Sequence, residues 1–129
     1  MRNRTTILPF IIAAFLSPAS AMADGHAPGF FKRESTFFVY HNLPVGAERT
    51  TETAAEMVAF SKDGMTVLYS NSQLDSLGMI DITDPAKPKP LGETDLGGEP
   101  TNVGVAGDNI ALLGVNTSKS YTRPSGYLA

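Results

Sequence analysis

Few residues in this chain have types and spacings that could do chemistry. There are two histidines, His26 and His41, and no cysteine. Without thiols the chain has no thiolate metal site, no cysteine nucleophile and no disulfide. No acidic residue stands at metal-ligand spacing to either histidine, so both read as structural or solvated. No serine lies in a Gly-x-Ser-x-Gly elbow. Asp75, Asp81 and Asp84 raise the possibility of calcium, but a calcium loop needs several oxygen ligands at close alternating positions. Asp84 stands before Pro85, where its carboxylate can accept local backbone N–H groups and fix a turn. Gly97-Gly98-Glu99-Pro100 leads into a strand pattern and not a helix, which excludes a dinucleotide loop. Glu56 is the one candidate ligand-binding residue. It opens a strand, where it could meet a ligand or cation, or simply be a solvated charge at a strand end. The expectation is therefore no catalytic residue, no metal site and no cofactor.

The elements that would position these residues begin after a leader. Arg2 and Arg4 precede an apolar run from Ile7 to Leu16, which is too short to span a bilayer. Ser17-Pro18 breaks the run, and Ala21-Met22-Ala23 is a small-x-small signal. Residues 1–23 thus read as a cleaved signal peptide, cut after Ala23, which places the product in the periplasm or outside the cell. Two of the ten basic residues lie in the leader. Eight then remain against thirteen acidic ones, and the net charge becomes −5. That balance argues against nucleic acid and against an anionic membrane surface. No later segment is apolar enough for membrane insertion once the leader is removed.

Residues 24–34 are breaker-rich at the start and read as a flexible N-terminus. Ser35 to Leu43 is dense in β-formers and predicts a first strand. A polar loop follows from Pro44 to Thr53, with a short helix as an option because Glu48, Glu52 and Glu56 share helical spacing. From Ala55 onward strand signals come at short intervals. Glu56 to Phe60 and Met65 to Asn71 flank the turn Ser61-Lys62-Asp63-Gly64. Leu77 to Ile82 and Pro90 to Leu96 follow, the last with the prolines and charges of an edge strand. A shift of 45 residues then aligns the chain on itself. Val58 falls on Val103, Phe60 on Val105, Leu68 on Leu113 and Asn71 on Asn116, while Glu56 falls on Thr101 and Gly64 on Asn109. Three further residues in the second loop bring Gly78-Met79-Ile80 onto Gly126-Tyr127-Leu128. A period in the forties with four strands per unit predicts propeller blades, one at about 54–97 and a second, partial one at about 98–129.

The segment from Ala54 to Gly64 resembles a blade opening of exported bacterial β-propellers. Gly78-Met79-Ile80-Asp81-Ile82, followed by Asp84-Pro85-Ala86-Lys87-Pro88, is similar to the repeat strand and turn of the LVIVD and YVTN-type propellers. The combination resembles the choice-of-anchor kind, associated with alkaline phosphatase-like and phytase-like exported proteins. Its motifs specify a fold more than an activity. The resemblance implies an all-β, partial β-propeller of about two four-stranded blades, its ring not closed, where such rings carry about six to eight. Over residues 35–129 the expected role is scaffold or interaction module, with missing blades of a parent chain or further copies of itself as partners. The alternative is the N-terminal part of a phytase-like or alkaline phosphatase-like phosphate-ester hydrolase whose catalytic residues lie outside this sequence.

Overall fold

The computed structural model describes residues 32–129 except Arg49, Asn109 and Tyr121. The signal peptide with its cleavage site at Ala23, the 24–31 part of the flexible N-terminus, and His26 lie outside the described residues. The chain is all-β. Among the described residues seven strands form two antiparallel sheets of four and three strands, each in simple up-and-down order and neither closed. The first sheet comprises β1 (Val58–Phe60), β2 (Thr66–Asn71), β3 (Ser76–Asp81) and β4 (Lys89–Asp95). The second comprises β5 (Glu99–Ala106), β6 (Ile110–Asn116) and β7 (Gly126–Leu128).

Turn chemistry fixes the first hairpin. Gly64 takes φ +72°, and the Asp63 carboxylate accepts the Ser61 hydroxyl and the Met65 N–H. These bonds hold the Asp63 carboxyl below the ordinary carboxylate range, the Ser61 hydroxyl contributing most. At the β3–β4 connection the Asp84 carboxylate accepts the Ala86 N–H at 3.1 Å, as the Asp-Pro turn predicts.

Leu68, Leu77, Val103, Leu113 and Val115 form the buried apolar cluster, with Ala59, Met79, Leu96, Val105 and Ala111 packed around it. One face of the first sheet (Ala59, Leu68, Leu77, Met79) thus lies on one face of the second (Val103, Val105, Ala111, Leu113, Val115). Side chains alternate faces along a strand. The opposite face of the first sheet therefore carries Val58, Phe60, Tyr69, Asn71, Ser76 and Glu93, and that of the second carries Gly104, Ile110, Leu112, Gly114 and Leu128.

The ladders correct two sequence expectations. Ser35 to Leu43 is not a strand, because residues 32–38 are irregular and Val39–Asn42 is a 3-10 turn. A strand needs a partner edge as well as β-forming side chains, and this segment is instead tied to the first sheet by the Asn42 side chain, which enters the β3–β4 bulge. The second correction concerns register. Val58 and Phe60 do correspond to Val103 and Val105. Six residues separate the paired Phe60 and Val67, but five separate the paired Val105 and Ala111. The second hairpin is one residue shorter, so Leu68 corresponds to Leu112 and not to Leu113. Nine residues separate the paired Asn116 and Gly126, against four between Asn71 and Ser76. Leu128 accordingly takes the position of Leu77, and Gly126 does not stand where Gly78 does. The left-handed glycine of the second hairpin is Gly107, φ +61°. Asn109, the sequence match to Gly64, lies outside the described residues.

Gly78 is set by space and not by conformation. A Cβ there would lie 2.0 Å from Cζ of Tyr69, whose ring crosses β3 at this point. Gly78→Ala is expected to displace that ring and lower stability by about 1–3 kcal/mol, read as a fall in the urea midpoint.

Candidate functional site

The densest set of polar side chains lies on the outer face of the first sheet. Cross-strand pairing puts Tyr69, Gly78 and Glu93 in one row and Asn71, Ser76 and Asp95 in the next. With no side chain at Gly78, the Tyr69 ring reaches over β3 and its hydroxyl donates to Oε1 of Glu93 at 2.8 Å. The Asn71 amide donates to both Glu93 oxygens at 3.1 and 3.2 Å, and the Ser76 hydroxyl to Oε2 at 2.7 Å. Three neutral donors thus converge on one carboxylate.

Asn42 closes the network from the 3-10 turn. Between Met79 and Ile80 the β3–β4 ladder slips, so Met79 pairs with Gly92 and Ile80 with Pro90, leaving Leu91 unpaired. Gly92 takes φ +90° in this bulge. Asn42 Oδ1 accepts the Gly92 N–H at 3.0 Å, and its Nδ2 donates to the Met79 carbonyl at 2.9 Å and to the Tyr69 hydroxyl at 2.8 Å. The amide therefore takes the place of backbone partners that the bulge separates. Asn42, Tyr69, Asn71 and Ser76 are all buried, and among the described residues no buried side-chain polar atom lacks a partner. Burial pushes the Tyr69 hydroxyl pKa well above its ordinary value of 10.0, with the Glu93 carboxylate adding to the rise and the Asn42 bond opposing it.

The residues singled out in the sequence fall elsewhere. Glu56 is exposed; its backbone N–H donates to the Ser70 carbonyl, extending the β1–β2 pairing. Thr101 sits in a β5 bulge and its hydroxyl donates to the Gly114 carbonyl. His41 is exposed and packs on Tyr40, ring centroids 4.3 Å apart, within a group that includes Phe37 and Phe38. Asp75 occupies the left-handed region at φ 49° in the turn after β2. Asp81 accepts the Thr83 N–H at 2.8 Å; hydrogen bonding from Thr83, side chain first, keeps its carboxyl below the ordinary range. Among the described residues no three His, Asp or Glu side chains group to hold a metal ion. Asn71, at the end of β2, joins the network through its amide. Asn116 caps a turn, its Oδ1 accepting the Ser118 N–H at 2.9 Å. Sequence reasoning missed Asn42, Tyr69 and Glu93, whose meeting depends on a bulge and on a long-range contact.

A cleft of about 350 Å³ opens between the two sheets at their hairpin ends, lined by Leu68, Leu77, Met79, Val105 and Asp63. The Lys62–Asp108 ion pair links the two hairpin turns beside it. The other prominent surface is the outer face of the second sheet, where Ile110 is 58%, Leu112 38% and Leu128 71% exposed. No family model, curated protein or solved structure matches this chain.

Two measurements check the network. Asn42→Ala strips partners from the half-buried Met79 carbonyl and Gly92 N–H and from the Tyr69 hydroxyl, and is expected to cost about 1–3 kcal/mol in urea unfolding. Tyr69 ionises less readily folded than unfolded, so its contribution to stability is complete below pH 10 and falls as the pH rises through its folded value. Tyr69 should stay protonated until the fold is lost, visible as a step in tyrosinate absorbance that coincides with unfolding and that Tyr69→Phe removes.

Proposed function

We propose that this chain is part of an exported β-propeller of the LVIVD/YVTN, choice-of-anchor kind and works as a scaffold or interaction module, not a catalyst. The leader pattern of Arg2, Arg4, Ile7–Leu16 and Ala21-Met22-Ala23 supports export. Two successive up-and-down sheets stacked face to face support the propeller reading. The observation that carries the functional reading is a contrast between two surfaces. The polar groups best placed for chemistry are used up internally: both oxygens of Glu93 are taken and the Tyr69 hydroxyl both donates and accepts. What the fold leaves open is an apolar sheet face, which suits contact with another protein surface. Its natural partners are further sheets, from a parent chain or from other copies.

Expression in a bacterial host is expected to yield a periplasmic product whose mass begins at Asp24; retention of residues 1–23 in the cytoplasm would count against export. With a chromogenic phosphate monoester or phytate, with and without calcium, the purified chain is expected to show no turnover above the blank. Turnover that Glu56→Gln abolishes would place catalysis within this chain and overturn the non-catalytic reading.

A further inference from the structure

The two sheets present the same apolar geometry, but only one of them has it covered. In the first sheet Leu68 pairs with Ala59, and two residues further along β2, Ser70 pairs with Leu77. In the second, Leu112 pairs with Gly104, and two residues further along β6, Gly114 pairs with Leu128. Leu68 and Leu77 are 7% and 8% exposed because the second sheet lies on them. Leu112 and Leu128 stand at the same ladder positions on the free face. Around them Gly104 and Gly114 keep the backbone low, so a facing sheet could approach closely.

The surface that covers Leu68 and Leu77 also has a counterpart. Part of it comes from Val103 and Val105 of β5. Val58 and Phe60 hold the same positions on β1, facing outward, and are 51% and 57% exposed. Beside them Val67 is half-buried, whereas the β3–β4 side of that face belongs to the Asn42–Tyr69–Glu93 network. The chain thus leaves one face of its sheet-to-sheet contact open on the second sheet and, on the first, the β1 part of the opposing face, Val58 and Phe60; the positions there that match Leu113 and Val115 are Tyr69 and Asn71, which are buried.

We propose that the open face of the second sheet (Ile110, Leu112, Leu128) docks on Val58 and Phe60 of a second copy of this chain, reproducing between chains the part of the packing that Val103 and Val105 make within one. The contact is heterologous, head to tail, so it propagates to a closed ring or an open series. The proposal rests on the interaction-module reading and names its partner.

Sedimentation velocity of the full exported chain over a hundredfold concentration range tests it. The wild type is expected to assemble beyond a monomer as concentration rises. Leu128→Glu blocks one half of the contact and Phe60→Glu the other, and both positions are exposed enough to tolerate the change. Each variant alone is expected to be a monomer. An equimolar mixture should form a heterodimer and stop there, because the intact second sheet of one variant meets the intact first sheet of the other. A mixture that stays monomeric, or a wild-type dimer that survives either substitution, overturns the proposal. A wild type monomeric at every concentration also overturns it, and dye binding then separates the two readings. If Leu128→Glu lowers binding of anilinonaphthalene sulfonate, the apolar face is presented to some other partner and the module reading stands. If it does not, the module reading falls as well.

Discussion

Everything in this fold depends on covering one sheet with another. Leu68, Leu77, Val103, Leu113 and Val115 form its inter-sheet core, and they come from four strands of two sheets. Neither sheet supplies enough apolar surface to bury its own side chains, because a flat sheet has two faces and can shield neither alone. With no disulfide to constrain the unfolded chain, stability rests on this contact and on the hydrogen bonds that close the far side of the first sheet.

That far side is closed by polar groups. A bulge in β3–β4 opens backbone groups of Met79 and Gly92, and the Asn42 side chain fills the gap. The same amide orients the Tyr69 hydroxyl, which in turn meets Glu93 across the space left by Gly78. Each group satisfies another, so removing one takes the hydrogen-bond partner from at least one other. Such a network favours one arrangement of the N-terminal segment on the sheet over its competitors. It also explains why Ser35 to Leu43, despite Phe37, Phe38, Val39 and Tyr40, does not extend the sheet. Asn42 sits in the 3-10 turn Val39–Asn42, and its bonds to Met79 and Gly92 inside the β3–β4 bulge hold the segment in that irregular path.

The sequence made the hairpins legible where local chemistry decides them. Ser61, Asp63 and Gly64 form the turn their types predict, and Asp84-Pro85 stops β3 as expected. Strand order and the edge position of β4 followed from the same signals. Face assignment did not. A shift of 45 residues is right for β5 but one residue out for β6, and with a period of two a single residue exchanges inside for outside. Leu68 and Leu113 look equivalent in the sequence, yet they belong to one buried cluster from opposite sheets. The polar network was illegible for a different reason. Asn42, Tyr69 and Glu93 are separated by 27 and 24 residues, and no local pattern marks them as partners.

The one-residue difference between the hairpins has a consequence for β6. A strand covered on one face alternates apolar and polar residues, whereas one covered on both reads as a continuous apolar run. β2 is covered on both faces, and Leu68, Tyr69, Ser70 and Asn71 are all buried in sequence. β6 carries Ile110-Ala111-Leu112-Leu113-Gly114-Val115 with no polar residue before Asn116, whereas β2 includes Thr66, Ser70 and Asn71, yet in β6 only Leu113 and Val115 are buried. Its composition is that of a strand with two neighbouring layers. A surface strand under no such demand would carry polar residues at 110 and 112. Ile110 and Leu112 thus leave the free face of the second sheet apolar as well as exposed.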